Sequence, residues 1–484
     1  MKYINSFYCL TFICLTNFSL GVTAQINKVV ITNGWEFRQV GTAKWNAATV
    51  PGEVHSDLLN NKMIPDPYYR DNEEKLQWIE KKDWEYKTSF SVSPSTLKQK
   101  NAELVFDGLD TYATVYLNGK LVLKADNMFR QWRVNVKPYL RSGENSLKIV
   151  FESAQNVVDS LAKKDLPFVI PDNPRTYVRK AQYHFGWDWG PKLTTCGVWK
   201  EVRLESYNQK PKEKEYVPSR KVELVQQPDS IGKSFYFKID GKPVYMKGAN
   251  YIPSDALLSR VTKKEYEKVI KMAKDANMNM LRVWGGGIYE DDYFYDLCDK
   301  YGINVWQDFM FAGAMVPGDD AFFDNVREEV KYQVKRLRHH KSIVLWCGNN
   351  EVDEAFNNWG WQKSMKMSKQ DSTKLWKDYV RLFQDSIPKW VKEVDPTRPY
   401  TSSSPLFGWG REKSYTEGDS HYWGTWWGLA DIEAVREEAL NIILSAINHN
   451  VNEDRAVIKT YLGAENRKDA LRDADFVVNA IQVG

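Results

Sequence analysis

One apolar segment of the sequence runs directly into a carboxylic acid. Residues 343–351 read Ile-Val-Leu-Trp-Cys-Gly-Asn-Asn-Glu, so a buried-strand pattern ends in amides and in Glu351. In a barrel of alternating strands and helices, such strand ends carry the catalytic side chains. A Glu partly desolvated among Trp346, Trp359 and Trp361 can protonate a leaving oxygen, as glycoside cleavage requires. Because carboxylates also favour helix N-termini, Glu351 alone fits catalysis and ordinary helix capping equally well.

Other predicted strand ends carry aromatic and hydrogen-bonding side chains. Arg282 and Trp284 lie on an apolar strand that runs into three glycines, residues 285–287. The glycines predict that the backbone opens and exposes the face of Trp284 for stacking. Arg282 needs an anionic partner; a catalytic carboxylate is one candidate, and a structural ion pair is the alternative. His421 and Tyr422 end another strand with polar and stacking groups.

Composition narrows the class of ligand. The 67 basic and 63 acidic residues are interspersed and leave a net charge of +4, so neither nucleic acid nor a membrane surface is indicated as a partner. The chain has 19 Trp and 26 Tyr, more than hydrophobic cores usually need. Flat apolar rings suit stacking on sugar faces, so carbohydrate is the favoured ligand class.

The N-terminal 24 residues are typical of a secretory signal peptide. An apolar stretch from Phe7 to Leu20 is followed by small residues that end at Ala24. This stretch is short for a bilayer span and is interrupted by polar residues, so cleavage and export are predicted instead of membrane anchoring. The cysteines that remain are odd in number and widely spaced, which predicts buried free thiols and neither a disulfide framework nor a metal site. They are Cys196, Cys298 and Cys347.

Two different patterns divide the rest of the chain. Residues 25–207 consist of short alternating segments with turn residues, which predicts a β-sandwich. Within them, Asn118-Gly119 predicts a type I′ hairpin turn. Residues 208–234 are charged and contain prolines, as a linker would.

From residue 235 to 428, strands alternate with helices, which predicts a βα-repeat domain with a parallel sheet. Helical periodicity covers residues 263–277 and 322–337. Six strands are predicted, over residues 247–252, 278–284, 304–309, 342–347, 399–403 and 419–423. A closed (β/α)₈ barrel needs eight units in ~250 residues, so the six predict an incomplete TIM barrel.

The composition changes again after Gly428. Residues 429–484 contain no Trp. An amphipathic helix over residues 432–446 and a buried-strand pattern over 475–483 predict a fragment of a different, Rossmann-like α/β domain.

Over about residues 30–428 the chain resembles the β-mannosidases of glycoside hydrolase family 2. Seven ordered motifs carry the resemblance: residues 50–55 (VPGEVH), 64–69 (IPDPYY), 185–191 (FGWDWGP), 247–253 (KGANYIP), 282–284 (RVW), 350–351 (NE) and 421–423 (HYW). The resemblance implies an exo-acting retaining enzyme with an N-terminal jelly-roll domain, an immunoglobulin-like domain and a TIM barrel. It implies β-mannosides of oligosaccharides or glycoproteins as substrates, and no cofactor.

The resemblance also implies roles for individual residues. Glu351 matches the acid/base, and Asn350 matches the residue that contacts the sugar 2-hydroxyl. Trp187 and Asp188 match a sandwich loop that enters the pocket, where the Asp binds hydroxyls of the terminal mannose. From composition alone, Trp187 would more often belong to the sandwich core. The implied substrate-binding positions are Trp187, Asp188, Arg282, Trp284, Asn350, Trp359, His421 and Tyr422.

The catalytic nucleophile has no counterpart in this sequence. Retention needs two carboxyl groups about 5 to 5.5 Å apart. In the family the second group is a Glu in a Ser-Glu-aromatic-Gly pattern, shortly after the motif that residues 421–423 match. Here residues 429–433 read Leu-Ala-Asp-Ile-Glu, and Glu433 and Glu437 lie on a predicted surface helix. The nucleophile is therefore unassigned, and weak or no turnover is expected.

The immunoglobulin-like domain is also mostly missing. About 35 residues separate Trp199 from Phe235, whereas such a domain takes ~100. Lys221 to Gln227 is expected to be its last strand, retained without partner strands.

Residues 429–484 resemble a fragment of the NAD-dependent glycosidases of family 4, through residues 429–432 and 474–484. Asp431 would match a ribose-binding acid after a Rossmann strand. No glycine-rich phosphate loop precedes it, so NAD binding is not expected. A join between two genes explains the abrupt change. Three hypotheses follow: an impaired β-mannosidase, a non-catalytic carbohydrate-binding remnant, and a non-functional gene fusion that does not fold past residue 428.

Overall fold

The computed structural model describes residues 25–164, 174–212, 215–218, 220–408 and 411–421. The predicted signal peptide, Tyr422 and the family 4-like tail lie outside the described residues. Within the described ranges, no helix is both long and apolar enough to cross a bilayer.

The N-terminal part is a sandwich of two antiparallel sheets, as predicted. One sheet has four strands in the order β1-β10-β5-β8, and the other has six in the order β3-β2-β4-β9-β6-β7. Their inward side chains form one core between the layers. The strands are β1 Asn27–Val30, β2 Glu36–Gln39, β3 Asn46–Ala47, β4 Trp84–Val92, β5 Asn101–Phe106, β6 Tyr112–Leu117, β7 Lys120–Asp126, β8 Trp132–Asn135, β9 Gly143–Phe151 and β10 Val202–Tyr207.

Four short helices join the strands of the sandwich. They are α1 Val54–Asn60, α2 Asn72–Lys75, α3 Pro94–Lys98 and α4 Ala154–Ala162. The predicted hairpin turn between β6 and β7 is confirmed, because Asn118 and Gly119 have φ angles of 50° and 78°, the positive values that a type I′ turn requires. The turn fixes the register in which Leu117 pairs with Lys120.

Helix α1 carries a buried acid that should make stability depend on pH. Asp57 is 1% exposed and accepts hydrogen bonds from the Tyr86 hydroxyl and the Thr49 N–H, both at 2.8 Å. Desolvation by burial raises the pKa of Asp57 from 3.8 to about 7. The folded chain therefore holds this proton where the unfolded chain has lost it, and stability falls as the pH rises from about 4 through about 7.

Replacing Asp57 with Asn, which mimics the protonated acid, is expected to remove this part of the pH dependence. Urea unfolding between pH 4 and pH 8 should show equal stabilities near pH 4 and a growing advantage of Asp57→Asn above it. Parallel stability curves for the two proteins would contradict the assignment.

A three-stranded antiparallel sheet follows the sandwich. Its strands are β11 Val222–Val225, β12 Tyr236–Ile239 and β13 Lys242–Val244. The expectation that Lys221 to Gln227 lacks partner strands is therefore wrong. The reason is local: the chain turns after β11 and returns as β12, so β11 obtains its hydrogen bonds from the next segment of sequence. Val222 and Phe237 pack against the parallel sheet through Met280 and Trp306.

The C-terminal described part contains a parallel sheet with five strands in sequential order. The strands are β14 Gly248–Tyr251, β15 Met280–Val283, β16 Asn304–Asp308, β17 Ile343–Cys347 and β18 Tyr400–Thr401. They confirm five of the six predicted strands, each within a few residues. The sixth prediction, 419–423, is not borne out in residues 419–421, which form no strand. Its other two residues lie outside the described part.

Helices follow the strands and cover one side of the sheet. The predicted helices over 263–277 and 322–337 are confirmed with slightly different bounds, and a π-helical stretch, Val380–Ser386, joins α10 to α11. The helices are α5 Lys263–Asp275, α6 Asp292–Tyr301, α7 Asp320–Leu337, α8 Val352–Asn358, α9 Trp361–Ser364, α10 Lys369–Tyr379 and α11 Ile387–Val394. Sheet and helices share one core, which defines a TIM-barrel type of domain.

The three remaining cysteines are buried and free, as predicted. Burial raises the pKa of each thiol, so these side chains stay protonated and unreactive near neutral pH.

Candidate active site

Glu351 lies where β17 ends and α8 begins. Its backbone has a φ of 60°, a left-handed conformation that is rare for a residue other than glycine. Its side chain makes no capping bond to the helix; the Asn349 side chain accepts from the Val352 N–H at 3.0 Å instead. Since another residue caps α8, helix capping does not account for the Glu351 carboxylate.

The Glu351 carboxylate is held by two side chains and is 13% exposed. Its Oε2 accepts from the Asn350 side-chain amide at 3.2 Å, and its Oε1 lies 3.0 Å from His421 Nδ1. The Glu351 N–H donates to the Ser404 carbonyl at 3.0 Å. Two neighbouring strand ends therefore orient this acid, a requirement for directed proton transfer.

Arg282 does not pair with Glu351, so the interpretation that gave it a catalytic carboxylate as partner is wrong. Its guanidinium binds Asp308 at the end of β16, with Nη2 to Oδ2 at 2.8 Å, and both side chains are buried. The structural ion pair that the sequence left open is the arrangement found. Asp308 lies on the neighbouring strand, whereas Glu351 lies two strands away. Burial raises the pKa of Asp308, although the Arg282 charge opposes this rise.

Arg282 nevertheless contributes to the site through Asn350. Arg282 Nη2 donates to Asn350 Oδ1 at 2.9 Å, while Asn350 Nδ2 donates to Glu351. The buried cation thereby fixes which face of the amide points to the acid. Arg282 thus acts on Glu351 indirectly.

His421 connects the acid to a second polar group. Its Nε2 lies 3.3 Å from Ser404 Oγ and 4.0 Å from Asp419 Oδ2. Asp419 accepts from Ser404 Oγ at 2.6 Å and from the Leu406 N–H at 2.9 Å. The imidazole therefore bridges Glu351 and the Ser404–Asp419 pair.

Trp284 is buried, so the prediction that its face is exposed is wrong. It is 6% exposed, because Trp187 and Trp189 of the sandwich pack edge-on against it at centroid distances of 4.8 and 5.5 Å. The glycines have a different role from the predicted one. A Cβ on Gly286 would meet the Trp284 ring at 2.0 Å, so the glycine lets this ring fold back over the chain.

The sandwich loop that contains Trp187 contacts the parallel-sheet domain at its strand ends. Trp187 and Gly190 exchange backbone hydrogen bonds at 3.2 and 3.3 Å, which leaves Asp188 exposed at the tip of a tight turn. Trp189 is 39% exposed and also stacks on Tyr183. Trp187 does not belong to the sandwich core, the alternative that composition favoured, and neither does Trp189.

The three tryptophans expected around Glu351 lie in different places. Trp346 is fully buried, stacks on Phe309 and donates a hydrogen bond to Asp395 at 3.1 Å, on the helix side of the sheet. The prediction that Trp346 lies beside Glu351 is therefore wrong. Trp359 is 48% exposed and contacts Trp361 edge-on.

Trp359 borders the segment that contacts Asn350. A Cβ added to Gly313 would lie 3.9 Å from the Trp359 ring, and the Gly313 N–H donates to the Asn350 carbonyl at 2.9 Å. Its exposed indole therefore lies next to the strand end that carries the acid.

Sequence reasoning missed four residues that shape this site: Asp308, Ser404, Asp419 and Asn250. The rule that singled out Glu351, a polar side chain at the end of an apolar strand, would also have found Asp308. Both carboxylate oxygens of Asp308 and of Asp419 accept hydrogen bonds from protein donors.

The comparisons with known proteins agree with this architecture. A family model described as the glycosyl hydrolase 2 galactose-binding domain-like family matches residues 35–200. A second, the glycosyl hydrolases family 2 TIM barrel domain, matches residues 232–413. These matches, together with relatives more than 30% identical over most of the chain, show that the chain belongs to glycoside hydrolase family 2. Residues 423–484 match a third model, family 4 glycosyl hydrolase.

Within the family, the chain is similar to β-mannosidases. It is 32% identical to the β-mannosidase of Bos taurus over 82% of this chain and 57% of that protein. It is 33% identical to β-mannosidase B of Emericella nidulans, over 83% of this chain and 60% of that one. The chain thus spans about three fifths of the length of these curated relatives.

Solved structures show the same likeness. The β-D-mannosidase from Dictyoglomus thermophilum superposes with a TM-score of 0.76 and 36% identity, over 84% of this chain and 61% of that one. The exo-chitosanase CsxA from Amycolatopsis orientalis shares the fold alone, with a TM-score of 0.56 and 14% identity over 79% of this chain and 53% of that one.

Proposed function

We propose that the sandwich and the parallel-sheet domain form the mannose site of an exo-β-mannosidase whose general acid is Glu351. The supporting observation is the arrangement of this carboxylate. It does not cap α8, and Asn350 and His421 orient it. The likeness to β-mannosidases supports the choice of sugar. Substrates would be terminal β-mannosides of oligosaccharides or glycoproteins, with no cofactor.

In this proposal each residue of the site has its own role in the cleavage of the glycosidic bond. Glu351 donates a proton to the glycosidic oxygen as the bond to the anomeric carbon breaks. Asn350 contacts the 2-hydroxyl while Arg282 orients its amide. Asp188, at the exposed tip of the sandwich loop, binds hydroxyls of the terminal mannose. Trp187 and Trp359 line the sugar pocket, and the Trp284 ring packs edge-on against Trp187.

We further propose that the chain lacks the second carboxylate of a retaining enzyme. The family places it in a Ser-Glu-aromatic-Gly pattern after the His421 motif, and residues 423–484 match family 4 in its place. Without this nucleophile the double displacement has no covalent intermediate. The predicted signal peptide supports export, and a join between two genes is the proposed origin of the change in family.

A small external anion can replace a missing carboxylate, which makes the proposal testable. The purified chain lacking residues 1–24 is incubated with dinitrophenyl β-mannoside, with and without azide, and the β-glucoside serves as control. Little or no release of dinitrophenol without azide and mannoside-selective release with azide are expected. Efficient hydrolysis with retention in the absence of azide would contradict the loss of the nucleophile.

A non-catalytic mannose-binding protein is the second candidate function. The exposed indoles of Trp189 and Trp359 beside the strand ends favour it, since they are available for stacking. Measurable affinity for mannose in calorimetry, together with no azide-dependent cleavage, would decide for this candidate.

A further inference from the structure

The strand end that carries Glu351 is bonded to the loop that follows β16. The Asn350 N–H donates to the Phe311 carbonyl at 2.8 Å, and the Gly313 N–H donates to the Asn350 carbonyl at 2.9 Å. Asn350 therefore lies against residues 311–313 as a short parallel bridge with Ala312. Any displacement of this loop moves the peptide unit next to the acid.

The sandwich holds the same loop from the other side. The Ala312 N–H, which the bridge to Asn350 does not use, donates to the side-chain carbonyl of Gln182. Gln182 is 4% exposed and belongs to the sandwich segment that leads to Trp187. Because backbone N–H groups buried without a partner are costly, this bond fixes the loop relative to the sandwich.

A buried ion pair fixes the sandwich segment itself. Arg179 binds Glu329 of α7 through two hydrogen bonds of 2.8 and 2.7 Å, and both side chains are almost fully buried. Asn127 and Tyr289 donate to the remaining positions of the Glu329 carboxylate at 2.9 and 2.8 Å. The Arg179 guanidinium also lies 3.8 Å from the centre of the Phe311 ring. Such a bidentate pair has little freedom to slide.

We propose that Gln182 is a positioning residue for the general acid: by holding Ala312, it fixes the bridge to Asn350 and with it the direction of the Glu351 carboxylate. The proposal rests on the proposed function of Glu351. It gives the sandwich a role in proton donation in addition to the loop that it contributes to the pocket. Arg179 and Glu329 provide the rigid support from which Gln182 acts.

Gln182→Met tests the role, because Met has a similar volume and no oxygen to accept the Ala312 N–H. Azide-dependent cleavage of phenyl β-mannoside, whose leaving group needs the acid, is expected to slow by about ten- to a hundredfold. Cleavage of dinitrophenyl β-mannoside, whose leaving group departs without a proton, should change little. Gln182→Glu retains an acceptor and should restore most of the phenyl mannoside rate.

Gln333→Met is the matched control. Gln333 is also buried, and its side chain donates to the Phe129 carbonyl of the sandwich at 2.6 Å and accepts from Arg336, but no hydrogen bond joins it to residues 311–313. In Gln333→Met, the ratio of the phenyl to the dinitrophenyl β-mannoside rate should equal that of the parent chain. Equal slowing of both substrates by Gln182→Met, or the same ratio change in Gln333→Met, would overturn the positioning role.

Hydrogen exchange separates this proposal from the proposed function. Gln182→Met should raise exchange in peptides that cover residues 311–313 and 349–351, and Gln333→Met should not. If the parent chain shows no azide-dependent cleavage, the proposed function fails, and this exchange pattern alone decides whether Gln182 fixes the Glu351 strand end. Unchanged exchange in those peptides would overturn the proposal in either case.

Discussion

Glu351→Gln should slow azide-dependent cleavage of phenyl β-mannoside by about 10² to 10⁴, the usual contribution of a general acid. Cleavage of dinitrophenyl β-mannoside should change far less, because dinitrophenolate departs without a proton. The amide keeps the size of the side chain and can still contact Asn350 and His421, so the fold should be preserved. The measurement is the ratio of kcat/KM for the two substrates, in the parent chain and in the variant.

A matched control is available on the same helix start. Asp353 and Glu354 follow Glu351 closely in the sequence, but both carboxylates form ion pairs with Arg411. Glu354→Gln should leave the ratio of the two substrates unchanged. If Glu351→Gln slowed both substrates equally, or slowed neither, Glu351 would not be the proton donor.

Arg282→Met is expected to destabilise the protein by about 3 to 5 kcal/mol, because it leaves Asp308 as an unpaired buried charge. Asn350 also loses the hydrogen bond from Arg282, so the phenyl β-mannoside rate should fall even in the fraction of protein that remains folded. Urea unfolding at neutral pH measures the first effect, and rates normalised to folded protein measure the second.

The double variant Arg282→Met with Asp308→Leu separates the two effects. Removing both charges should recover part of the lost stability, since an apolar pair replaces the ion pair. The rest stays lost, because the Gly285 N–H and the Trp306 indole N–H no longer have Asp308 as their acceptor. It should not recover the phenyl mannoside rate, because Asn350 still lacks the donor that orients its amide. Recovery of stability and rate together would show that Arg282 has only a structural role.

The sequence predicted those features of the fold that depend on local patterns. The alternation of strand and helix patterns predicted five strands of the parallel sheet, and Asn118-Gly119 predicted a hairpin because both residues adopt positive φ. Glu351 was singled out because it lies four residues after an apolar strand that ends in polar amides. Each of these signals lies within about ten residues of sequence.

The features that sequence analysis missed depend on contacts between distant segments. Nothing near Arg282 shows that Asp308, on the next strand, is its partner instead of Glu351. Likewise, Trp284 is buried by Trp187 and Trp189 of another domain, which a local glycine pattern cannot reveal. Strand neighbours and domain interfaces, more than the strands themselves, therefore determined where the predictions were wrong.

The anomeric configuration of the glycosyl azide tests the central claim most directly. The purified chain is incubated with dinitrophenyl β-mannoside and azide, and proton NMR identifies the sugar product. With Glu351 present and no protein nucleophile, azide attacks the face opposite the leaving group, so α-mannosyl azide is predicted. The β anomer, or free mannose formed as rapidly without azide, would show that the chain retains its own nucleophile and would contradict the account.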